Sequence, residues 1–215
     1  MGRTHLPLFP LQVVLFPGSR LPLHIFENRY KALVNECIRD DREFGIVLAN
    51  GGEVAGVGCT ARIVAVQKVY DDGRMDIVVE GDRRFRVHRF DPERAPYTVG
   101  EVEFFGPFTE HVDRSLVAET IRLYNELVTL VYNEKVERID QSAAVPDLSF
   151  VIVQKAGMDV TQRQQVLEIP SETERLQLLR DYLQAVVPKL ERAGEIERIV
   201  RSDGYLSRSQ SPEDE

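Results

Sequence analysis

The sequence predicts an α+β protein, in which a small closed β-barrel with one packed helix is followed by an α-helical bundle. Short apolar runs bounded by Pro, Gly and Asp fill residues 1–105, and such runs are typical of strands joined by tight turns. A single amphipathic helix interrupts these strands near the start. From residue 106 the apolar residues recur every three or four positions, which indicates helices. We therefore expect a barrel domain at 1–105, a helical bundle at 106–203 and a disordered tail at 204–215.

The first elements lie in residues 6–38. Three proline-punctuated apolar runs, 6–9, 13–16 and 21–26, have the character of buried strands. A helix follows without a break. Its apolar residues share one face, through the helical spacing of Tyr30, Leu33, Val34, Cys37 and Ile38. We expect this face to pack on the strands that precede it.

Five further apolar segments complete the predicted barrel. They lie at 44–49, 54–70, 75–79, 84–88 and 99–105. The Asp-Gly pair at 72–73 predicts a hairpin, and the Gly-Asp pair at 81–82 predicts another reversal of the chain. In the longest segment, Gly56 and Gly58 permit a bulge or a corner.

The helical half is predicted from periodicity and capping signals. Helices are expected over 113–135, over 147–155 after the N-cap Asp147, and from two capping boxes at 161–164 and 171–174. Gly157 should end the second helix. Pro188 should kink or interrupt the last one, because proline removes a backbone donor inside a helix.

Two stretches carry a resemblance to a known family. The segments LPLFPLQVVLFPG (6–18) and LPLHIFENRY (21–30) closely resemble the start of the amino-terminal, substrate-binding domain of Lon proteases. The segment PDLSFVIVQKAGMDVTQRQQVLEIPSETERLQLL (146–179) is similar to the family's later helices, and the likeness covers about 6–190. The resemblance implies a PUA-like β-barrel followed by a helical bundle, in a domain that holds polypeptides.

The chemistry of full-length Lon has no counterpart in these residues. The sequence contains no G-x-x-x-x-G-K-[ST] loop for nucleotide phosphates and no Gly-Pro-Ser-Ala-Gly peptidase segment. We therefore expect a stand-alone module that is not an enzyme and needs no cofactor. The pattern G-x-G-x-x-A at 56–61 precedes a strand and not a helix, so a barrel bulge is favoured over a dinucleotide site.

The composition of the chain limits the classes of partner that we expect it to bind. The net charge of −8 and the pI near 5.2 make nucleic acid an unlikely partner, and no apolar run is long enough for a membrane span. Two cysteines and four scattered histidines have no disulfide or metal-ligand pattern, so we expect no metal and a cytoplasmic location. The one basic cluster, Arg83, Arg84, Arg86 and Arg89, leaves a PUA-type RNA-binding module as the alternative function. A solvated strand face is the favoured interpretation of this cluster.

The leading hypothesis is a polypeptide-binding module that uses exposed apolar surface and a free barrel edge. The candidate peptide-binding residues lie where barrel gives way to bundle, and they are the aromatic residues Phe90, Tyr97, Phe104, Phe105 and Phe108. Alternatively, these aromatics join the two domains. The partners expected are unfolded or partner polypeptides and, for an adaptor, a separate protease or ATPase. The identity of the ligand, the binding surface and the oligomeric state stay open.

Overall fold

The computed structural model describes residues 2–106, 110–132, 135–140 and 145–206, the last ten of these by their backbone alone. The described residues form six strands and five helices. The strands are β1 (Thr4–Leu11), β2 (Arg20–Ile25), β3 (Phe44–Asn50), β4 (Glu53–Val69), β5 (Met75–Asp91) and β6 (Val99–Phe104). The helices are α1 (Asn28–Arg39), α2 (Arg114–Tyr132), α3 (Leu148–Val153), α4 (Val160–Glu168) and α5 (Glu172–Leu206).

The strands form a closed barrel, as predicted. Neighbours follow the order β2-β5-β4-β3-β1-β6, and β5 also pairs with β6, so five strands close a ring and β2 lies outside it on β5. β1 makes closure possible by changing partner along its length. Its first half, from Thr4 to Pro7, pairs with β6, and its second half, from Leu8 to Leu11, pairs with β3. The α+β fold class is confirmed.

Two predictions in the barrel are wrong. The run 13–16 is not a strand, although Val14, Leu15 and Phe16 are buried. The chain does not reverse at residues 81–82, because β5 continues through them. Gly81 serves a close approach: a Cβ placed on it would lie 2.2 Å from the carbonyl oxygen of Phe16. Its backbone pairs with the same turn, through Gly81 N to Ser19 O at 2.9 Å.

α5 begins where the sequence predicts, and Ser171 Oγ accepts a hydrogen bond from the Glu174 backbone N–H at 3.2 Å. The starts of α4 and α3 differ from the prediction. α4 has its capping box at Asp159 and Gln162, two residues before the predicted box at 161–164. Asp147 precedes α3 in a left-handed conformation with φ 47° and makes no side-chain cap. Instead, the Glu172 carboxylate accepts from the Ser149 backbone N–H at 2.9 Å. α5 runs uninterrupted through Pro188.

The chain separates into two compact units. The first contains Met1–His111 and Asp147–Arg175, and the second contains Val112–Pro146 and Leu176–Glu215. These units do not coincide with the predicted domains 1–105 and 106–203, because α3 and α4 pack with the barrel. Of the predicted tail at 204–215, residues 204–206 belong to α5 and 207–215 lie outside the described residues.

Two arginines join α3 and α4 to the barrel inside the first unit. Arg84 of β5 donates to three carbonyl oxygens, those of Leu167 at 3.0 Å, Ile169 at 2.6 Å and Pro170 at 3.2 Å. Burial and, after it, the charge of Arg175 lower the pKa of Arg84 to about 10. The three carbonyls compensate the burial of this cation, since they satisfy donors that have lost water.

Arg175, at the start of α5, holds the same turn from its other side. Its side chain is 2% exposed. It donates to four groups, namely Ser149 Oγ at 2.7 Å, Ile169 O at 2.8 Å, Pro170 O at 2.7 Å and the Glu172 carboxylate at 2.5 Å. Both guanidinium groups lie over the ring of Phe150, at 5.2 Å for Arg84 and 4.3 Å for Arg175. Phe150 in turn stacks on Phe16 at 5.7 Å. We call Arg84 and Arg175 the arginine pair.

The second unit is built from α2 and the larger part of α5. Its buried apolar residues on α2 are Leu116, Ile121, Leu123, Tyr124, Leu127 and Val128. Those on α5 are Leu176, Leu179, Leu183 and Val187, which recur every three or four residues as on one face of a helix. Gln184 Nε2 donates to Glu119 Oε1 at 2.7 Å between the two helices.

Replacing Gly81 tests the close approach at β5. Gly81→Ala places a methyl group against the Phe16 carbonyl, and we expect the free energy of unfolding to fall by about 1–3 kcal/mol. Gly56→Ala in β4 is the matched control, because a Cβ there meets nothing within 4 Å. The control should change stability by less than about 0.5 kcal/mol. Urea unfolding measures both, and equal effects would contradict this role of Gly81.

The arginine pair generates a second prediction. Arg175→Met leaves the partly buried Glu172 carboxylate without its cation, so we expect a loss of about 3–5 kcal/mol in unfolding free energy. Arg180→Met, which removes an arginine paired with the exposed Asp181, should cost less than about 1 kcal/mol. Denaturation followed by circular dichroism compares the two. A loss of the same size in both variants would show that the buried arginine has no special role.

Candidate functional site

The candidate site starts from a mismatch in strand length. β4 has 17 residues, whereas its neighbour β3 has 7. The ladder between them ends at the pair Phe44↔Ala61, and over residues 62–69 β4 pairs with β5 alone among the described strands. On one side of residues 62–69, therefore, no strand lies within the described part of the chain, and we call this side the free edge. Backbone N–H and C=O groups at such an edge can pair with another chain.

A groove of about 260 Å³ lies between the free edge and the end of α1. Its lining is Cys37, Ile38, Ile63, Val64, Ala65 and Val66, with the charged residues Asp41, Arg42 and Arg62. We call it the edge groove. Three of its aliphatic side chains are exposed, namely Ile38 at 45%, Val64 at 43% and Val66 at 44%. Exposed aliphatic groups that lie together mark interaction surfaces more often than scattered ones do.

α1 forms one wall of the edge groove and is fixed at both ends. Near its start, Lys31 Nζ donates to the carbonyl oxygen of Asp72 at 3.0 Å. Further along, Glu36 accepts a hydrogen bond from the hydroxyl of Tyr97. Burial and, after it, this hydrogen bond raise the pKa of Tyr97 to about 12, so the phenol keeps its proton and donates it. The wall is thus held in place before any ligand arrives.

Cys37 contributes an apolar surface to the groove and no reactivity. Its side chain is buried, and burial raises the pKa of its thiol to about 11. At neutral pH the thiol therefore stays protonated, and a protonated buried thiol behaves as a small hydrophobic group. Cys59 is buried as well, and both cysteines are free thiols.

The free edge is irregular. The register of β4 against β5 shifts between Ile63 and Ala65 and again between Val66 and Lys68. Bulges and charged residues are the devices that keep edge strands from pairing indiscriminately. Arg62 and Lys68 add such charges within the edge. A chain that pairs here therefore finds a short ladder, which suits a brief and reversible contact.

A second pocket of about 370 Å³ continues from the charged end of the edge groove. The two share Asp41, Arg42 and Arg62. The rest of its lining is Thr4, His5, Leu6, Pro7, Glu43, Arg83 and Phe104. Glu43 and Arg83 form an ion pair in it. Four of the seven residues that it adds are polar, so we call it the polar pocket. Its surface is continuous with that of the edge groove through the three shared charged residues.

The four predicted aromatic residues that the structure describes do not line one common groove. Tyr97 is buried in the main core, 6% exposed, whereas Phe104 packs against a different core cluster beneath Arg83. Phe105 lies beneath Arg84, with 4.6 Å between guanidinium carbon and ring centroid. Phe90 is 38% exposed on β5. Phe108 lies outside the described residues. Of the described four, Phe104 lines the polar pocket beside the edge groove.

The sequence analysis did not identify the residues of the edge groove, because their apolar patterns are those of buried core residues. Ile38 continues the buried stripe of α1, and residues 63–66 read Ile-Val-Ala-Val, a run typical of a buried strand. Only the end of the β3 ladder at Ala61 leaves them uncovered. The length of the predicted segments, 54–70 against 44–49, was the one available sign of this mismatch.

Two arginines of the basic cluster on β5, Arg83 and Arg84, are engaged by other described residues, whereas Arg86 and Arg89 are exposed. Arg83 pairs with Glu43 and lies over Phe104, and Arg84 belongs to the arginine pair. Arg86 and Arg89 lie opposite Glu103 and Glu101 in the β5–β6 ladder. An RNA surface requires guanidinium groups that are free to meet phosphates. The contacts of Arg83 and Arg84 therefore weigh against the RNA-binding alternative, and those of Arg86 and Arg89 do not.

Other sites considered in the sequence find no support in the described residues. The segment 56–61 is part of β4, so no helix N-terminus stands at its glycines. Among the described residues, no group of three or more His, Cys, Asp or Glu side chains is placed to hold a metal ion. None of the helices described here combines the length and hydropathy that a membrane-spanning segment requires.

Solved structures share the fold. A Lon N-terminal domain protein from Xanthomonas campestris superposes with a TM-score of 0.65 at 28% identity, over 82% of this chain and 96% of that one. The N-terminal domain of Mycobacterium avium complex Lon protease gives a TM-score of 0.68 over 84% of this chain and 98% of that one. At 23% identity the second likeness concerns the fold alone.

Sequence comparisons agree with the structural ones. Lon protease 2 of Myxococcus xanthus is 30% identical over 95% of this chain, and Lon protease of Anaeromyxobacter dehalogenans is 28% identical over 95%. The chain spans 26% of the length of each of these relatives. The family described as the ATP-dependent protease La (LON) substrate-binding domain matches residues 5–185. The chain therefore belongs to the Lon substrate-binding domain family.

Proposed function

We propose that this protein binds polypeptide segments in extended conformation, and that the edge groove is where they bind. The observation that carries the proposal is the free edge of β4, which lies directly beside exposed aliphatic side chains. The family description, a substrate-binding domain, supports the same function. The aromatic set of the sequence analysis becomes secondary in this proposal, with Phe104 next to the groove and Tyr97 supporting α1.

Backbone pairing explains how such a site accepts many sequences. An extended segment that adds to a sheet edge gains its affinity from main-chain hydrogen bonds, which every residue except proline provides. Alternate side chains of the segment point to opposite faces of the sheet. Those on the groove side would meet Cys37, Ile38 and Val66, so aliphatic residues at every second position are preferred.

The size of the groove sets the strength of the interaction. Contacts smaller than about 1,200 Å² are typical of weak and transient complexes. The two bulges shorten the ladder further. We therefore expect weak, rapidly reversible binding of single segments, and tighter binding of chains that offer several segments in succession.

The proposal also covers chemistry, the fate of the bound segment and the cellular location. These 215 residues contain no phosphate-binding loop and no Gly-Pro-Ser-Ala-Gly segment, so we assign them no ATPase or peptidase chemistry. The relatives are named Lon proteases, which supports hand-over of a bound segment to a protease or ATPase partner. A cytoplasmic setting, where unfolded chains are handled under reducing conditions, is part of the same proposal.

A substitution at Ile38 tests the proposal. Ile38→Asp places a carboxylate where the bound segment would exclude water, so we expect affinity for an extended peptide to fall at least about tenfold. The probe is a fluorescein-labelled ten-residue peptide of alternating Val and Gln, followed by fluorescence anisotropy. Circular dichroism checks that the variant is folded.

Ile196→Asp is the matched control for this measurement. Ile196 is also an exposed isoleucine on a helix, 62% exposed, but lies in the second unit. Its substitution should leave the affinity unchanged. If the two variants bind the peptide equally well, or if the unaltered protein does not bind it, the proposed site is wrong.

A further inference from the structure

Two exposed cations on the free edge, Arg62 and Lys68, point to the same face of the sheet. Arg62 lies opposite Glu80 in the β4–β5 ladder, and Lys68 lies opposite Asp76. Residues that lie directly opposite each other on neighbouring strands share a face. Glu80 and Asp76 share a face as well, because they are an even number of residues apart on β5. The two cations can therefore be reached together by side chains on one face of an added strand.

The two bulges of β4 set the distance between these cations. Residues 62–68 of β4 lie against residues 76–80 of β5, so β4 uses more residues than β5 over the same length. At about 3.3 Å per residue, the four steps from 76 to 80 amount to about 13 Å. An extended chain that pairs with the free edge crosses this length in four residues. Its residues i and i+4 would therefore meet the two cations.

The carboxylates opposite the two cations already have other partners. Glu80 forms an ion pair with Arg20 at 2.8 Å. The Asp76 carboxylate lies 2.6 Å from His24 Nδ1 and accepts a hydrogen bond from the Tyr70 hydroxyl at 2.7 Å. Both carboxylates are thus engaged by groups other than the cations that face them across the ladder.

The free edge is locally positive, although the whole chain carries a net charge of −8. Residues 62–69 contain no Asp or Glu. Neither Arg62 nor Lys68 forms an ion pair with any residue that the structure describes. The other charged residues of the groove lining, Asp41 and Arg42, have opposite signs and add no net charge. The local charge therefore favours a partner with carboxylates.

A second copy of this chain does not match the charge pattern. Ala65 lies opposite Val78, midway between the positions of the two cations along β5. Two free edges paired antiparallel about Ala65 would place Arg62 of one copy beside Lys68 of the other. Like charges directly opposite each other destabilise a strand pair. The same two positions disfavour self-pairing and favour an acidic segment.

We propose that the free edge selects extended segments with carboxylates at residues i and i+4 and aliphatic side chains at i+1 and i+3. The carboxylates would pair with Arg62 and Lys68. The aliphatic side chains would point to the other face of the sheet. Val66 belongs to that face, because it lies opposite Ile77, and it lines the edge groove together with Ile38. The inference rests on the proposed function, since it names which segments the edge groove prefers.

Three peptides test this preference by fluorescence anisotropy. They are the labelled Val-Gln peptide, the same peptide with glutamate in place of the glutamines at its fourth and eighth positions, and the same peptide with lysine there. At about 0.02 M salt the glutamate peptide should bind about two- to tenfold more tightly than the Val-Gln peptide, and the lysine peptide more weakly. The advantage should shrink at about 0.5 M salt, because exposed ion pairs are screened.

The net charge of the chain makes this comparison stringent. A charge of −8 by itself attracts the lysine peptide and repels the glutamate peptide, so the expected order requires the local cations. Equal binding of all three peptides, or tightest binding of the lysine peptide, would overturn the inference.

A double substitution assigns the preference to the two cations. Arg62→Gln with Lys68→Gln removes both charges at exposed positions, so the glutamate peptide should lose its advantage over the Val-Gln peptide. Lys189→Gln with Arg192→Gln is the matched control, because it removes the same charge from exposed positions of the second unit and should keep the advantage. An advantage that survives the first double substitution, or that both abolish, would show that these cations do not select the segment.

The outcome is separable from that of the proposed function. If all three peptides bind alike and Ile38→Asp weakens each of them, the edge groove stands and this inference alone fails. If none of the peptides binds, the proposed function fails and the inference fails with it.

Discussion

The protein depends on one strand that is longer than its neighbour. β4 closes the barrel with its first part, where it pairs with β3 up to Ala61, and then extends over residues 62–69, where β5 is its only partner among the described strands. A barrel ordinarily removes its edges by closure. Here closure and an edge coexist in the same strand, because only part of β4 is needed to complete the ring. The edge groove exists because α1 ends beside that remainder.

The arginine pair holds α3 and α4 against one part of the barrel. Arg84 and Arg175 together bind the carbonyls of the turn at 167–170, and the ring of Phe150 lies between them and Phe16. The cations replace water around a turn that would otherwise hold unpaired carbonyls. This explains why α3 and α4 pack with the barrel unit although the sequence places them after the start of the helical half. It also leaves these arginines unavailable to a nucleic acid.

Much of the fold could be predicted from the sequence, since its signals are local. The spacing of Tyr30, Leu33, Val34 and Cys37 predicts α1, and the long segment at 54–70 matches β4 within one residue at each end. The bulge expected at Gly56 and Gly58 lies where the β3 register shifts. Gly81 misled the prediction because a glycine can serve a turn or a close approach, and only the position of Phe16 distinguishes them.

The candidate site was harder to predict than the fold because it depends on where the neighbouring strand β3 ends, which the sequence of β4 does not encode. Val64 and Val66 have the composition of core residues, and their exposure follows from where a distant strand ends. The predicted aromatic residues, in contrast, were conspicuous in the sequence, but those that the structure describes are not gathered into a site. Aromatic residues attract attention in a sequence, yet Tyr97 supports α1 and Phe105 lies under Arg84, so their bulk serves packing. A free barrel edge was expected from the sequence, but its residues were not.

Hydrogen exchange with and without the Val-Gln peptide measures the central claim most directly, because it reports backbone hydrogen bonds residue by residue. In the free protein, amides of residues 62–66 that point away from β5 should exchange rapidly, whereas those of β3 should be protected. Saturating peptide should slow exchange at 62–66 and leave β6 unchanged, as expected for a segment that adds to the edge of β4. Protection that appears elsewhere, with 62–66 still exchanging rapidly in the complex, would contradict the account.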